Sequence, residues 1–434
     1  MLKGLGIDDQ IHYWFISGDQ TATIEWETVL AEKLDEEALK QAVLTAMRIH
    51  TNFRSHPVIV DGRVKVSTDD DVKQAPVFAE SSMPRQLGTA ETNGYLFYVS
   101  FSGRKLFLRL FHGLADGRAS FAFLSTVLGA YVKEKEDMPV DLPEPDSLDT
   151  VPVTEKILKE YAGSAPVDRF DSNEHADQLF RLPVDQFVIG ERKWRVFEID
   201  VPLAPLLSVS RRSESSVVPV LEAIAGYALR KNYDVGDKII NAYTPVDMRS
   251  VFGLKSGGNG STSVAVPYRG KIDKYDLKDR FMIMRSVLDV QIQPENIYSG
   301  VLRMAGLFAK VDSQPYPIET IVSALRQQGR IGWGTPYTYG LSYPGKICFP
   351  KQVEPFVDSI VVSVSGGSFP LMIEACEYKG IIRMICTQLF ESDEVAKIIY
   401  EEIKSIIPGT FFVDRGIKTY DRMDLEKIEH SGQG

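Results

Sequence analysis

Apolar residues recur at two spacings along this chain, three to four apart in some stretches and two apart in others. Leu39, Val43 and Met47 share one face, so the spacing predicts a helix over 35–47. Asp35 caps it and Glu36 and Glu37 sit in its first turn, where the helix dipole favours acids. Val58–Val60 and Arg63–Val66 predict two strands around the turn Asp61-Gly62. Tyr95–Phe101 and Leu106–His112 predict a second hairpin, turning at Ser102-Gly103-Arg104-Lys105. In its return strand Leu106, Leu108, Leu110 and His112 point one way, and Phe107, Arg109 and Phe111 the other. Phe121, Leu124, Leu128 and Val132 then mark a long helix over 118–134.

The pattern breaks over 137–190, which hold Pro139, Pro143, Pro145, Pro152, Pro166 and Pro183 among many acids, with some helix near 155–161. Beyond it the chain predicts strands at 196–201, 239–246 and 263–266, and a helix at 220–231. Two helices fill 276–312, the second started by Pro294. A strand at 359–364 precedes a hairpin of Leu371–Glu377 and Ile381–Gln388, and a helix over 393–407 follows. Strands run in hairpins as well as between helices in both halves. The fold class is therefore α+β, as two lobes (1–150 and 191–434) joined by a crossover linker (151–190), each a mixed sheet with helices.

Composition narrows the function. The 434 residues carry a net charge of −10, which disfavours a general nucleic-acid binder. Cys348, Cys376 and Cys386 have neither zinc-site nor redox-pair spacing, and the histidines have no metal-ligand spacing, so no metal is expected. No run of about 18 apolar residues and no signal-peptide stretch occurs, so the expectation is a cytoplasmic chain without a membrane span. Neither GxGxxG after a strand nor GxxxxGK[ST] is present, and GxSxG and HExxH are missing too.

The informative stretch is Phe111-His112-Gly113-Leu114-Ala115-Asp116-Gly117. It places a histidine at the end of a strand, on its apolar face, and an Asp-Gly pair at the start of a long helix. Burial there would keep the imidazole neutral and able to accept a proton near pH 7. Asp116 stands where a helix N-cap belongs, and Gly117 allows tight backbone geometry.

This segment resembles the HHxxxDG signature of the coenzyme A-dependent acyltransferase superfamily. That group includes chloramphenicol acetyltransferase, the condensation domains of peptide synthetases and alcohol O-acetyltransferases. Phe111 stands at the first His position; His112, Asp116 and Gly117 match the rest. Arg48–Arg54 resembles the exit of the family's first helix into a strand. Thr244–Arg249, followed by Gly258-Asn259-Gly260, resembles its strand ending in an arginine before a Gly-Asn turn. Leu341–Gly345 resembles its Ser-Asn-x-Gly strand, with Tyr343 in place of the Asn. Gly332-Trp333-Gly334 resembles a plant-enzyme element but lacks its Asp-Phe, and reads as a loop.

The resemblance implies two chloramphenicol acetyltransferase-like lobes with a tunnel between them. Acyl-coenzyme A would be a co-substrate rather than a resident cofactor. His112 would be the catalytic general base for an alcohol or amine acceptor. Asp116, Gly117 and Arg249 would support the active-site loop, the Asp116 carboxylate pointing at Arg249 and away from the imidazole. Ser342 is the candidate tunnel or oxyanion contact. Two alternatives share these residues: a related enzyme whose donor is an acyl carrier protein, and a non-catalytic condensation-like binding protein. The glycine-rich Ser256–Ser261 stretch reads as a flexible turn between strands.

Overall fold

The structure, a computed structural model, describes residues 2–3, 12, 22–61, 63–72, 74–145, 151–163, 176–183, 193–317, 320, 323–324, 337–365 and 369–423. The expected loop at 332–334 lies outside them. In chain order the first part gives β1 (Leu2–Lys3), β2 (Thr23–Leu30), α1 (Glu36–Ile49), β3 (Ser55–Val60), β4 (Arg63–Thr68), β5 (Val77–Ala79), β6 (Gln86–Leu87), β7 (Phe97–Ser102), β8 (Lys105–Phe111) and α2 (Gly117–Glu136). Next come α3 (Val153–Glu160), β9 (Lys193–Pro202), α4 (Leu203–Arg212), α5 (Val217–Asn232), β10 (Ile240–Asp247), α6 (Met248–Phe252), β11 (Ser261–Tyr268), α7 (Leu277–Gln291) and α8 (Pro294–Asp312). The last part gives β12 (Tyr339–Ser342), β13 (Val357–Val364), β14 (Leu371–Tyr378), β15 (Ile381–Gln388), α9 (Glu394–Ile406), β16 (Phe411–Thr419) and β17 (Arg422–Met423).

Two large sheets organise these elements, a five-stranded one in the order β13-β2-β8-β7-β5 and a seven-stranded one in the order β11-β10-β12-β14-β15-β9-β16. The first lobe packs α1 and α2 against the face of the five-stranded sheet that carries Ile24, Trp26, Leu108 and Leu110. Phe53 stacks on Phe123 with ring centroids 3.8 Å apart, and Phe97 meets Phe123 edge-on. Both helices start on aspartate caps: Ala38 N–H donates to Asp35 at 2.8 Å, and Ala119 N–H to Asp116 at 2.9 Å. The second lobe covers one face of the seven-stranded sheet with helices, burying Leu221, Ile224, Ile399 and Ile403 against Leu371, Ile373 and Ala375. The α3 helix, from the proline-rich connection, packs Val153 and Ile157 into this second core.

The lobes are interlocked rather than merely tethered. Strand β13, late in the sequence, pairs antiparallel with β2 and so belongs to the first sheet, Ile360 facing Thr28 and Val362 facing Trp26. Strand β14 is buried throughout, as a sheet covered on both faces requires. Alternation divides its side chains: Ile373 and Ala375 enter the second core, Cys376 and Tyr378 the first. Between the lobes lies a cavity of about 240 Å³ lined by paired charges. In it Glu25 of β2 accepts from Arg109 of β8 at 2.5 Å and from Lys418 of β16. Burial resists the Glu25 charge, yet Lys418 and Arg109 hold its pKa down at about 2. No helix among the described residues is long and apolar enough to cross a membrane.

Candidate functional site

Strand β8 ends at Phe111, one residue short of the expected boundary, but the ladder continues: His112 N–H donates to the Ala22 carbonyl at 2.7 Å. The chain then turns sharply, with Leu114 N–H donating to the Phe111 carbonyl at 2.9 Å. Glycine is needed at Gly113, where a Cβ would stand 2.3 Å from the Phe111 ring. Gly117 is under no such demand, since a Cβ there would meet nothing within 4 Å and its φ is ordinary. The tight geometry expected at Gly117 is found four residues earlier.

Asp116 closes the turn and opens α2. Its Oδ1 caps the helix, while its Oδ2 accepts from Arg249 Nη2 at 2.6 Å and from Gly260 N–H at 2.8 Å. The pair is nearly dry, Asp116 being 4% and Arg249 11% exposed at the side chain. Arg249 also donates through Nε to Asp247 at 2.7 Å, and through Nη1 to the carbonyls of Ser256 at 3.3 Å and Gly258 at 3.1 Å. Burial opposes its charge, but Asp116 and Asp247 raise its pKa above the usual arginine value.

The Ser256–Ser261 stretch is thus pinned and not the flexible turn expected. Asn259 Nδ2 donates to the His112 carbonyl at 3.0 Å, and Asn52 Nδ2 bridges the carbonyls of Leu114 and Gly257, each at 3.2 Å. A Cβ on Gly260 would come within 2.8 Å of the Arg249 side chain, so this glycine lets the guanidinium pass. The loop carrying His112 is held from both lobes through fixed polar contacts, which is how a reacting group is kept in place.

The His112 imidazole is half-buried at the lobe junction, and its Nδ1 has no hydrogen-bond partner among the described residues. Burial lowers its pKa, only partly opposed by its own carbonyl, Asp116 and Asn259. The His12 ring lies over it, with centroids 3.9 Å apart and planes 16° from parallel. Burial and the neighbouring His112 push the His12 pKa well below the ordinary value. Both rings are therefore neutral at pH 7. No motif marks His12, and its place over His112 comes from packing alone.

Ser342 ends β12, opposite Glu374 of β14 in a parallel register. Its side chain neighbours the Glu374 carboxyl across the ladder, and burial pushes that carboxyl's pKa up to about 8, the Ser342 hydroxyl opposing in part. Burial drives the Cys376 and Cys386 thiols up to about 12, so neither is a ready thiolate. Among the described residues no group of three or more His, Cys, Asp or Glu is placed to hold a metal ion.

Comparison with models of protein families finds no match, and comparison with curated proteins finds none either. Solved structures match over nearly the whole chain. Polyketide synthase associated protein 5 from Mycobacterium tuberculosis is 14% identical with a TM-score of 0.63, over 93% of this chain and 98% of that one. The epimerization domain from the third module of tyrocidine synthetase B is 14% identical with a TM-score of 0.62, over 94% and 95%. Trichothecene 15-O-acetyltransferase from Fusarium sporotrichioides is 12% identical with a TM-score of 0.61, over 93% and 95%. With two mixed lobes and likenesses of this extent, the chain has the fold of condensation domains and chloramphenicol acetyltransferase-like proteins.

Proposed function

We propose that this protein is an acyltransferase that moves an acyl group from a coenzyme A thioester to an alcohol or amine, with His112 as general base. The observation that carries the reading is an imidazole at the lobe junction, its pKa lowered by burial, on a loop tied to the second lobe by Asn259 and by the Asp116–Arg249 pair. A neutral ring accepts the proton that the acceptor loses as its oxygen or nitrogen bonds to the thioester carbonyl carbon. The carbonyl π electrons move to oxygen, and a hydrogen-bond donor there is worth about 3 kcal/mol. Collapse re-forms the carbonyl and breaks the carbon–sulfur bond. The thiolate leaves and takes up the proton held by His112. Asp116 serves by bracing the loop, since its two oxygens are engaged by Ala119, Arg249 and Gly260 and not by the imidazole.

The test is thiol release from acyl-coenzyme A across a panel of alcohols and amines, with the parent and His112→Ala. Turnover should fall by about 100-fold or more in the variant, with the fold intact. Transfer at the parental rate would sink the assignment. A second donor, acyl groups loaded on a carrier protein, belongs in the same assay because condensation domains of a polyketide synthase and of a synthetase are among the similar folds. Activity with that donor alone would move the reading from coenzyme A to a carrier arm.

A further inference from the structure

Glu374 is an acid placed where a soluble fold rarely puts one. It sits mid-strand in β14, 6% exposed, and burial and the Ser342 hydroxyl are the influences that set its charge. Its neighbours on the same face, Cys376 and Tyr378, belong to the first lobe's core, so Glu374 points toward the lobe junction rather than into the helices of its own lobe. Ser342 lies directly across from it on β12. Strand β12 in turn runs parallel to β10, Tyr243 beside Gly340, and continuing that register sets Ser342 beside Pro245. Asp247, which shares Arg249 with Asp116, is two residues further along, roughly 6–7 Å at the rise of a strand. Ser342 thus lies toward the same end of the sheet as the Asp247–Arg249 turn that braces the His112 loop, with Glu374 beside it.

Building on the acyl-transfer reading, we infer that Glu374 is a positioning residue. It keeps its proton, donates it in a hydrogen bond to Ser342 Oγ, and so leaves the Ser342 hydroxyl free to donate to the oxyanion formed on the acyl carbonyl. No proton leaves Glu374 in this role. A hydroxyl has one hydrogen to give. Facing a carboxylate it must give that hydrogen to the acid; facing a carboxylic acid it can accept from the acid and give elsewhere. Burial pushes the Glu374 pKa up to about 8, so the acid form prevails at neutral pH. The other groups around it leave this balance in place. Tyr243 on β10 and Cys376 on β14 are neutral, their pKa values raised to about 12. Arg383 of β15 is taken up by Asp200 at 3.3 Å and Glu198 at 3.7 Å on β9. Across the face, β13 brings one charged side chain, Asp358, and it pairs with Arg104.

Two measurements test this. Infrared difference spectra between the parent and Glu374→Gln at pH 6 should show a protonated carboxyl stretch. That stretch should vanish by pH 10 and shift in Ser342→Ala. Its absence at pH 6, or indifference to Ser342→Ala, would overturn the inference whatever the activity. In the acyl-transfer assay the parent's kcat should fall as pH rises through about 8, and Glu374→Gln should lose that fall. Glu374→Ala should lower kcat by about tenfold with KM little changed, and should add nothing to Ser342→Ala. Full additivity of the two variants, or an alkaline fall that persists in Glu374→Gln, would overturn the positioning role. If no donor is turned over at all, the acyltransferase reading fails, while the carboxyl stretch still decides the Glu374–Ser342 bond.

Discussion

Arg249 and Asp116 lie 133 positions apart in the chain and meet at 2.6 Å, nearly shielded from water, so a buried ion pair helps fasten the His112 loop of one lobe to the turn of the other. Removing Arg249 leaves the buried Asp116 carboxylate without a counter-charge, and removing Asp116 leaves Arg249 with Asp247 alone. Asp116→Ala and Arg249→Ala should each cost about 3–5 kcal/mol in urea unfolding, and acyl transfer should decline with the folded loop. Either variant unfolding at the parental midpoint would show that the pair carries no weight.

Gly113 and Gly117 make a sharper contrast because they sit in the same loop. Gly113→Ala forces a methyl group onto the Phe111 ring and should cost about 2 kcal/mol. Gly117→Ala meets open space in the first turn of α2 and should stay within about 0.5 kcal/mol of the parent. Thermal unfolding of the two variants side by side decides this, and equal losses would refute it.

The same loop shows what the sequence makes legible. Asp116 as a cap, the hairpin of β14 and β15, and the second helix opening at Pro294 all follow from local chemistry, because caps, alternation and a proline at a helix start act over a few residues. Strand β2 was not predicted: Ile24, Trp26 and Leu30 alternate with Glu25 and Glu27, but acids facing a charged cavity disguise a buried strand. Strand β16 was not either, since a bulge between Asp414 and Gly416 shifts its register and its side chains are largely exposed. Helix α4 hides behind Pro205, harmless in a first turn but a helix breaker elsewhere. Placing β13 in the first sheet, His12 over His112, and Glu374 beside Ser342 takes tertiary structure, for each joins segments that no periodicity links.

The stacking of His12 on His112 predicts a change that needs no substrate to read. The His12 ring covers one side of the His112 imidazole and withholds water from it. In His12→Ala that cover is gone, so the His112 pKa should rise toward the ordinary histidine value. An NMR titration of the ring protons, assigned with His112→Ala, measures it. A His112 titration unmoved by His12→Ala would mean that the covering ring contributes nothing to its neutrality.

Glu222 offers a test of the second lobe's core that stays clear of the site. It projects from α5, fully buried, with Oε1 accepting from Thr244 of β10 and Oε2 without a partner among the described residues. Burial raises its pKa from 4.5 to about 8, the Thr244 hydroxyl opposing only in part. The folded chain therefore holds this proton more tightly than the unfolded chain. The stabilisation is fully present below about 4.5 and is lost as pH climbs through about 8. Glutamine keeps the shape and cannot ionise. Glu222→Gln should accordingly gain on the parent as pH rises from 5 to 9, by on the order of a few kcal/mol at the alkaline end. Urea unfolding of both proteins at three pH values across this window reads the difference. A gap between them that does not change with pH would mean that Glu222 either keeps its ordinary pKa when folded or reaches water through an opening in the core.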